Sequence, residues 1–432
     1  MPDASAALPL TAETIAIGTE LLTGGRSEVN SLFLADELGK LGIEVRFKSV
    51  VGDIQSDIAL AINHAVKRAG VVIMTGGLGP TVDDCTREAV AQATGRRLGK
   101  RKDALDGMRA RLAQWGRTPN QRQLRQAMIP SGATVLANPV GSAPGFCLTW
   151  KRSLIVALPG VPTEMEAMTV QSAIPIIKSR LKEAERERRP IVRRVFHTFG
   201  LPEADVDAKL KGLIPQGMPI DLGLLASPMG VLVSLTTKSG SRKSHMTGNP
   251  LESIAQQVRA RLREWVFAEG RETMEEVVGR LLTKQGLTVA LAESCTGGLI
   301  GHRLTQVPGS SAYLDRDIVC YSNRSKTELL GVPTSLLEKH GAVSASVAAA
   351  MANGIRERSG TDIGLSVTGI AGPDGGTAAK PVGLVFVGLD GGDGERMTKE
   401  FRFHGDRNMI KQRSSQAALD MLRRWLMGRG GV

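Results

Sequence analysis

Three side chains in the C-terminal third have the types needed to activate a hydroxyl: Ser311, Tyr321 and Lys326, all within the run Gly309 to Lys326. A serine is a weak nucleophile until a base takes its proton, and lysine serves as that base only when its amine is uncharged. Ser322 or Asn323 is placed to cap a helix containing Lys326. In the first turn an ammonium meets the positive end of the helix macrodipole, which favours the neutral amine. The spacing therefore allows a serine–lysine pair to attack a carbonyl carbon, with Tyr321 orienting the groups or relaying a proton. It equally allows Ser311 as a cap, Tyr321 as core and Lys326 as a surface charge.

Two glycine-rich segments flank this run. Ala292-Glu293-Ser294-Cys295-Thr296-Gly297-Gly298 lies between the apolar Thr288 to Leu291 and the helical Leu299 to Leu304. Glycines at a strand-to-helix turn let backbone amides approach an anion, so Ser294, Thr296, Gly297 and Gly298 are candidates for holding a phosphate. Val367 to Gly376 contains Thr368, Gly369, Gly372 and Asp374. Ordering so many glycines costs backbone entropy, as in a loop shaped around a ligand. A tight turn and a hairpin-like loop are the plainer alternatives. One loop would hold the phosphate and the other the oxyanion of an amide under attack; the spacing does not say which. Cys295 has no histidine at a fixed spacing and reads as a buried thiol.

A third glycine loop, Gly76-Gly77-Leu78-Gly79, follows the apolar Val71 to Met74. Asp83 and Asp84 just beyond it could hold a divalent cation bridging a pyrophosphate, or cap the helix that begins near Arg87.

These segments need strands and helices to position them. Ile15 to Ile17, Ile43 to Val51 and Val71 to Met74 read as strands alternating with helices at Phe33 to Leu38 and Ile54 to Ala69, which predicts a parallel α/β sheet. Phosphate loops belong at the carboxyl ends of such strands. Strands at Ile191 to Phe199 and Gly230 to Thr237, with helices at Glu203 to Leu213 and Leu251 to Trp265, predict a small α+β module. It follows a charged linker at Lys178 to Arg189. From Arg271 a helix, the strand Thr288 to Leu291, and further strands at Asp317 to Tyr321 and Leu384 to Val387 restore the α/β pattern.

The 432 residues are too many for one ordinary core and predict two or three domains. With 42% hydrophobic and 23% charged residues, neither a disordered chain nor a membrane protein is indicated. No run of about 18 apolar residues occurs, and Met1 to Leu10 lacks the flanks of a signal peptide, so the cytoplasm is the expected compartment. Cys85, Cys147, Cys295 and Cys320 show no metal-binding spacing and read as reduced thiols. The net charge of +12 would suit anionic small substrates or a nucleic acid. The basic runs Arg96 to Arg125 and Lys178 to Arg194 are interrupted by acidic, Gln or apolar residues, and only 3% of residues are aromatic. Solvated helix faces without stacking platforms argue against a nucleic-acid partner.

Ala292 to Gly298, Gly309 to Lys326, Lys339 to Ser344 and Val367 to Gly383 together resemble the signature blocks of the CinA C-terminal domain, the nicotinamide-nucleotide amidohydrolase family. The resemblance implies an α/β sandwich that hydrolyses nicotinamide mononucleotide to nicotinic acid mononucleotide without a metal or other cofactor. It also implies a catalytic serine, tyrosine and lysine, which fall on Ser311, Tyr321 and Lys326, with Ser310 and Ser294 as competing serines. Ile17 to Leu22, Thr75 to Asp84, Asn138 to Gly145 and Leu158 to Met165 resemble the molybdopterin-binding fold as it occurs in CinA proteins. There the resemblance implies a nucleotide site at Thr19, Glu20, Asn30, Gly76, Gly77, Gly79, Asp83 and Asp84. Its implied activity is hydrolysis of ADP-ribose at the pyrophosphate, with a divalent metal at Asp83 and Asp84. Gly25-Arg26-Ser27-Glu28-Val29-Asn30 departs from the family pattern and keeps only its final Asn, which puts that activity or its substrate in question. The middle module resembles the KH-like domain of the same proteins, without the GxxG clamp that grips nucleic acid.

The expected architecture is thus α/β throughout most of the chain: a molybdopterin-binding-like domain over 1–175, a KH-like linker or dimerisation domain over 176–268, and an amidohydrolase domain over 269–432. The family resemblance implies a homodimer. The expected function is nicotinamide-nucleotide amidase in pyridine nucleotide salvage. Its rivals are a metal-dependent nucleotide pyrophosphatase and a non-catalytic, competence- or DNA-damage-linked interaction protein.

Overall fold

The computed structural model describes residues 11–182, 190–237 and 250–429. They gather into two compact units, one reaching Val192 and including Thr237, the other beginning at Arg193. The expected linker Lys178 to Arg189 falls partly outside the described residues. Its described part continues the helix Ile174–Lys182.

In the first unit, strands β1 (Thr11–Ile17), β2 (Glu44–Val51) and β3 (Val71–Thr75) are joined by the helices Asn30–Gly39 and Gln55–Arg68. A small ribbon pairs β4 (Leu98–Lys100) with β5 (Met128–Pro130), and β6 (Thr134–Leu136), β7 (Gly145–Trp150) and β8 (Ser153–Leu158) complete the set. The main sheet runs β2-β1-β3-β8-β7-β6, parallel through β8 and antiparallel beyond it. Side chains of β3 alternate between two cores. Val72 and Met74 join Ile15, Ile58 and Ile62, while Val71 and Ile73 join Leu34, Leu38 and Met165. Burial of both faces is why this strand reads as an unbroken apolar run.

The second unit opens with a four-stranded sheet ordered β10-β11-β9-β12, from β9 (Arg193–Thr198), β10 (Ile220–Ser227), β11 (Gly230–Thr237) and β12 (Val266–Glu269). The helices Glu203–Leu210 and Pro250–Leu262 pack on it through Val206, Leu210, Ile254 and Val258. β10 and β12 were not among the expected strands. β10 lies at the sheet edge with its last three residues exposed, so its apolar pattern is weak, and β12 has only four residues.

The same unit continues into a five-stranded sheet ordered β14-β13-β15-β16-β17, built from β13 (Val289–Glu293), β14 (Leu314–Val319), β15 (Ile363–Gly369), β16 (Leu384–Asp390) and β17 (Arg396–Arg402). β14, β13 and β15 are parallel; β16 and β17 turn back antiparallel. The middle sheet is tied to this part of the unit. Phe199 and Phe267 pack against its core, and the buried Arg423 donates to the Glu264 carbonyl at 2.8 Å while pairing with Asp420. All four cysteines are free. Among the described residues no helix is long and apolar enough to cross a membrane.

Candidate active site

β13 has a parallel neighbour on each side, so the connections leaving its carboxyl end part in opposite directions and open a crevice there. Ser294 is the first residue beyond that end. Its amide is fixed by the Val367 carbonyl at 3.0 Å, and Ser294 itself is 8% exposed. Lys326 arrives from the helix Asn323–Leu330, whose start is set by the Ser322 side chain accepting from the Ser325 amide in a capping box. Its amine lies 3.0 Å from Ser294 Oγ, 2.8 Å from the Cys320 carbonyl and 3.4 Å from the Tyr321 carbonyl. At 1% exposed, Lys326 is among the most deeply buried side chains of the molecule. Removal from water holds its amine below the ordinary lysine value, against the weaker opposite pull of Cys320 and Cys295. A neutral amine can spend its two N–H bonds on the two carbonyls and turn its lone pair to the Ser294 hydroxyl.

Ser311 is elsewhere. It sits exposed in the 3-10 turn Ser310–Ala312, which precedes β14, whereas Lys326 follows the opposite end of that strand. Six strand residues span on the order of 20 Å, so the expected Ser311–Lys326 pair does not form, nor does Ser310 offer one. The strand direction was the missing piece: it carries the lysine to the turn after β13 and away from the serines that open β14. Tyr321 is 60% exposed, and its hydroxyl accepts from Arg407 Nη2 at 2.9 Å. Its backbone, rather than its phenol, reaches Lys326.

The two glycine segments converge on the same end of the sheet. Thr368 and Gly369 close β15 beside β13, and the Thr368 hydroxyl donates to the Ala342 carbonyl at 2.9 Å. Asp374 is exposed on the loop that follows. Arg407, which no local motif marks, bridges Gly372 and Tyr321: its Nη1 donates to the Gly372 carbonyl at 2.6 Å. Lys411, one turn further along the helix Arg407–Arg429, reaches within 3.6 Å of where a Cβ on Gly297 would lie. The i, i+4 spacing of these two cations at a helix start was the available signal.

The expected amide cradle at Thr296 to Gly298 is altered. The Gly297 amide donates to the Ser294 carbonyl, and those of Gly298 and Gly301 donate to the two oxygens of the buried Glu293 at 3.0 and 2.8 Å. A carboxylate of the protein thus takes the Gly298 amide, one of those expected to hold a phosphate. Thr296 is fully buried with its hydroxyl unpartnered. Cys295 is buried and its thiol is pushed up to about 12 by desolvation, so it is not a thiolate nucleophile at neutral pH.

In the first unit a cleft of about 450 Å³ lies beyond the carboxyl ends of β1, β3 and β8. Glu20, Asn30, Gly76, Gly77, Gly79, Asp83 and Asp84 line it, together with Arg26, Glu28, Asp53 and Glu164. Thr19 is exposed and does not line the cleft; it exchanges bonds with Asp53 through its amide and its hydroxyl. Asn30 donates to the Gly160 carbonyl at 2.9 Å. The Asp83–Asp84 pair does not fit a metal site. Asp84 turns one oxygen to the Gly79 amide and the other to the Thr81 amide and hydroxyl, and Asp83 is exposed beside it. Among the described residues no group of three or more His, Cys, Asp or Glu is gathered for a cation. Beneath the loop, the buried Arg87 donates to the Leu78 and Gly79 carbonyls, which explains why these glycines hold their shape.

Comparison with known proteins gives this arrangement its class. Residues 13–179 match the family described as "Probable molybdopterin binding domain", 193–268 the "Damage-inducible protein CinA KH domain", and 271–426 the "CinA C-terminal domain". A protein of Halothermothrix orenii named for competence-damage induction is 43% identical, covering 96% of this chain and 98% of its own length. A CinA-like protein of Geotalea uraniireducens is 42% identical over 96% of this chain and 97% of its own. A solved structure of a competence/damage inducible protein from Agrobacterium tumefaciens is 44% identical, covering 36% of this chain and 95% of that one, with a TM-score of 0.34. The chain belongs to the CinA family.

Proposed function

We propose that the C-terminal domain hydrolyses the carboxamide of nicotinamide mononucleotide to nicotinic acid mononucleotide and ammonia, with Ser294 as nucleophile and Lys326 as its base. The observation that carries the reading is the buried Lys326 amine 3.0 Å from the Ser294 hydroxyl. Family membership supports the pyridine nucleotide as substrate, through the resemblance of the C-terminal blocks to the amidohydrolase family.

The chemistry follows from the pair. Ser294 Oγ attacks the carboxamide carbon as its proton passes to Lys326 Nζ, and the carbonyl electrons move onto oxygen. Collapse of the tetrahedral intermediate expels the amide nitrogen, which leaves as ammonia with the proton returned by Lys326. Water then attacks the seryl ester, giving up a proton to the same amine, and the carboxylic acid departs as Ser294 recovers its proton. Arg407 and Lys411 supply positive charge beside both glycine loops for a mononucleotide phosphate.

Incubating the purified protein with nicotinamide mononucleotide and measuring ammonia and the acid product tests the reading. Release by the parent chain and its loss in Ser294→Ala support it; no turnover by the parent, or equal turnover in the variant, overturns it. Salt-sensitive DNA binding without any hydrolysis would favour the interaction-protein alternative.

For the N-terminal unit, a nucleotide such as ADP-ribose is the second reading, favoured by the cleft at the glycine loop. AMP release from ADP-ribose, assayed with and without chelator, tests whether it is cleaved there.

A further inference from the structure

Glu293 ends β13 completely buried, and Asp317 lies on β14 opposite Leu291. Residues two apart on a strand share a face, so the two acids are diagonal neighbours on one side of the sheet. Both converge on Gly301: Glu293 Oε1 accepts its amide at 2.8 Å, and Asp317 Oδ2 crowds the place where its Cβ would lie, so two acids meet at one point that suits a shared proton. The other Asp317 oxygen, Oδ1, is buried with no partner. The pair supports the Ser294 turn directly. Glu293 accepts the Gly298 and Gly301 amides, and a Cβ on Gly301 would come within 2.9 Å of Asp317 Cγ.

The surrounding charges do not neutralise two negative groups. From the turn and from β14's end, Cys295 and Cys320 present thiols that stay protonated, raised to about 12 and about 11 by burial. Lys326 faces the same region from its helix as the amine that Ser294 needs uncharged. Lys411 reaches in from the C-terminal helix on the Gly297 side. On the helix Leu299–Thr305, His302 is exposed, and Arg303 is already bound to Glu275, Ser415 and Gln416.

We propose that Asp317 is a positioning residue of this site: it shares a proton with Glu293, and the shared proton holds the turn that aims Ser294. Asp317 never touches the reacting atoms. Loss of the proton leaves the buried Glu293 carboxylate beside a half-buried Asp317 carboxylate, and their repulsion is relieved by loosening the Gly298 and Gly301 amides from Glu293. Desolvation first, then the Glu293 charge and hydrogen bond, raises the Asp317 carboxyl to about 8, so the loosening grows as pH climbs from the ordinary carboxyl range and is complete near that value. The link to catalysis rests on the proposed amidase reading; the proton-sharing itself does not.

The test compares the full-length parent with Asp317→Asn, which keeps a donor but cannot ionise, and Asp317→Leu, which removes it. Hydrogen exchange of the Gly298–Gly301 segment, corrected for intrinsic rate, is followed from pH 6 to 9. In the parent, protection falls by about tenfold between pH 6 and 7 and levels off above 8, as linkage requires when opening lowers the carboxyl's pKa. Asp317→Asn stays protected throughout, and Asp317→Leu is unprotected even at pH 6. Parallel pH dependence in the parent and Asp317→Asn overturns the proposal whether or not the protein is an amidase. With active protein, kcat of the parent falls relative to Asp317→Asn as pH rises while KM changes little. Equal kcat ratios across the range overturn the positioning role.

Discussion

The Lys326 amine and the Ser294 hydroxyl are hydrogen-bonded at 3.0 Å although 32 residues separate them in the chain. The contact exists because β14 runs parallel to β13 and delivers the helix Asn323–Leu330 to the end of the sheet where β13 stops. A serine–lysine pair is therefore a product of strand order, built from residues that no local motif joins.

This pair separates two serines by experiment. Ser294→Ala is expected to lower kcat for ammonia release by at least about 10³-fold, the scale seen when a nucleophile is removed from a unit that acts together. Ser311→Ala, on the exposed turn before β14, is expected to stay within about twofold of the parent, the range of a neutral surface change. Circular dichroism of both variants checks that each folds. A loss in Ser311→Ala with activity retained in Ser294→Ala reverses the assignment.

A buried lysine that must be uncharged makes a prediction with a sign. Because desolvation lowers the folded-state pKa of Lys326, the unfolded chain binds its proton more readily. Stability from this group is thus lost as pH falls through the folded value and is recovered as pH rises toward the ordinary lysine value. Lys326→Met removes the penalty, so its melting temperature should gain on the parent as pH is lowered. The parent's kcat/KM should rise with pH as the amine deprotonates. Lys326→Arg, which cannot lose its proton, should stay inactive throughout.

Arg407 joins Tyr321 to the Gly372 loop with two bonds from one guanidinium. Arg407→Ala deprives both of their donor and removes charge from the substrate side. A charge-assisted bond is worth about 1.5–3 kcal/mol, so KM for the nucleotide should rise about tenfold or more. Tyr321→Phe leaves the guanidinium in place and should change KM far less. Steady-state kinetics of the two variants decide this, and equal effects would assign the function to the phenol.

Much of the framework was legible because burial on two faces writes itself into sequence. Val71 to Met74 reads as a strand because each face of β3 meets a core, and of the two expected caps, Ser322 and Asn323, the structure uses Ser322. The helix that carries Lys326 and the turns at Ser294 and Thr368 were legible because their spacing is local. Which serine the lysine meets was not local. It depends on the direction of β14 and on which side of β13 it pairs, and nothing within Gly309 to Lys326 encodes either. Arg407 stayed hidden because its partners, Tyr321 and Gly372, lie 86 and 35 residues away. Glu293 stayed hidden too, since a buried carboxylate accepting backbone amides looks in sequence like any strand-ending acid.

Asp84 gives the last prediction, because a loop pin and a metal ligand fail differently. Its carboxylate accepts the Gly79 amide at 2.8 Å and the Thr81 amide at 2.8 Å, folding the glycine loop back on itself. Asp84→Ala strands both donors at a cost of about 1–3 kcal/mol for each that ends up buried without water. The loop's remaining supports are the Arg87 bonds to Leu78 and Gly79. If Asp84 is a pin, thermal unfolding of the variant should fall by several degrees equally in chelator and in added divalent metal. Asp84→Asn, which keeps one acceptor oxygen, should recover part of the loss. A metal ligand behaves otherwise: the parent would gain stability on metal addition, and both substitutions would erase that gain. Melting curves of the three proteins, each with and without chelator, separate the two roles before any nucleotide is added.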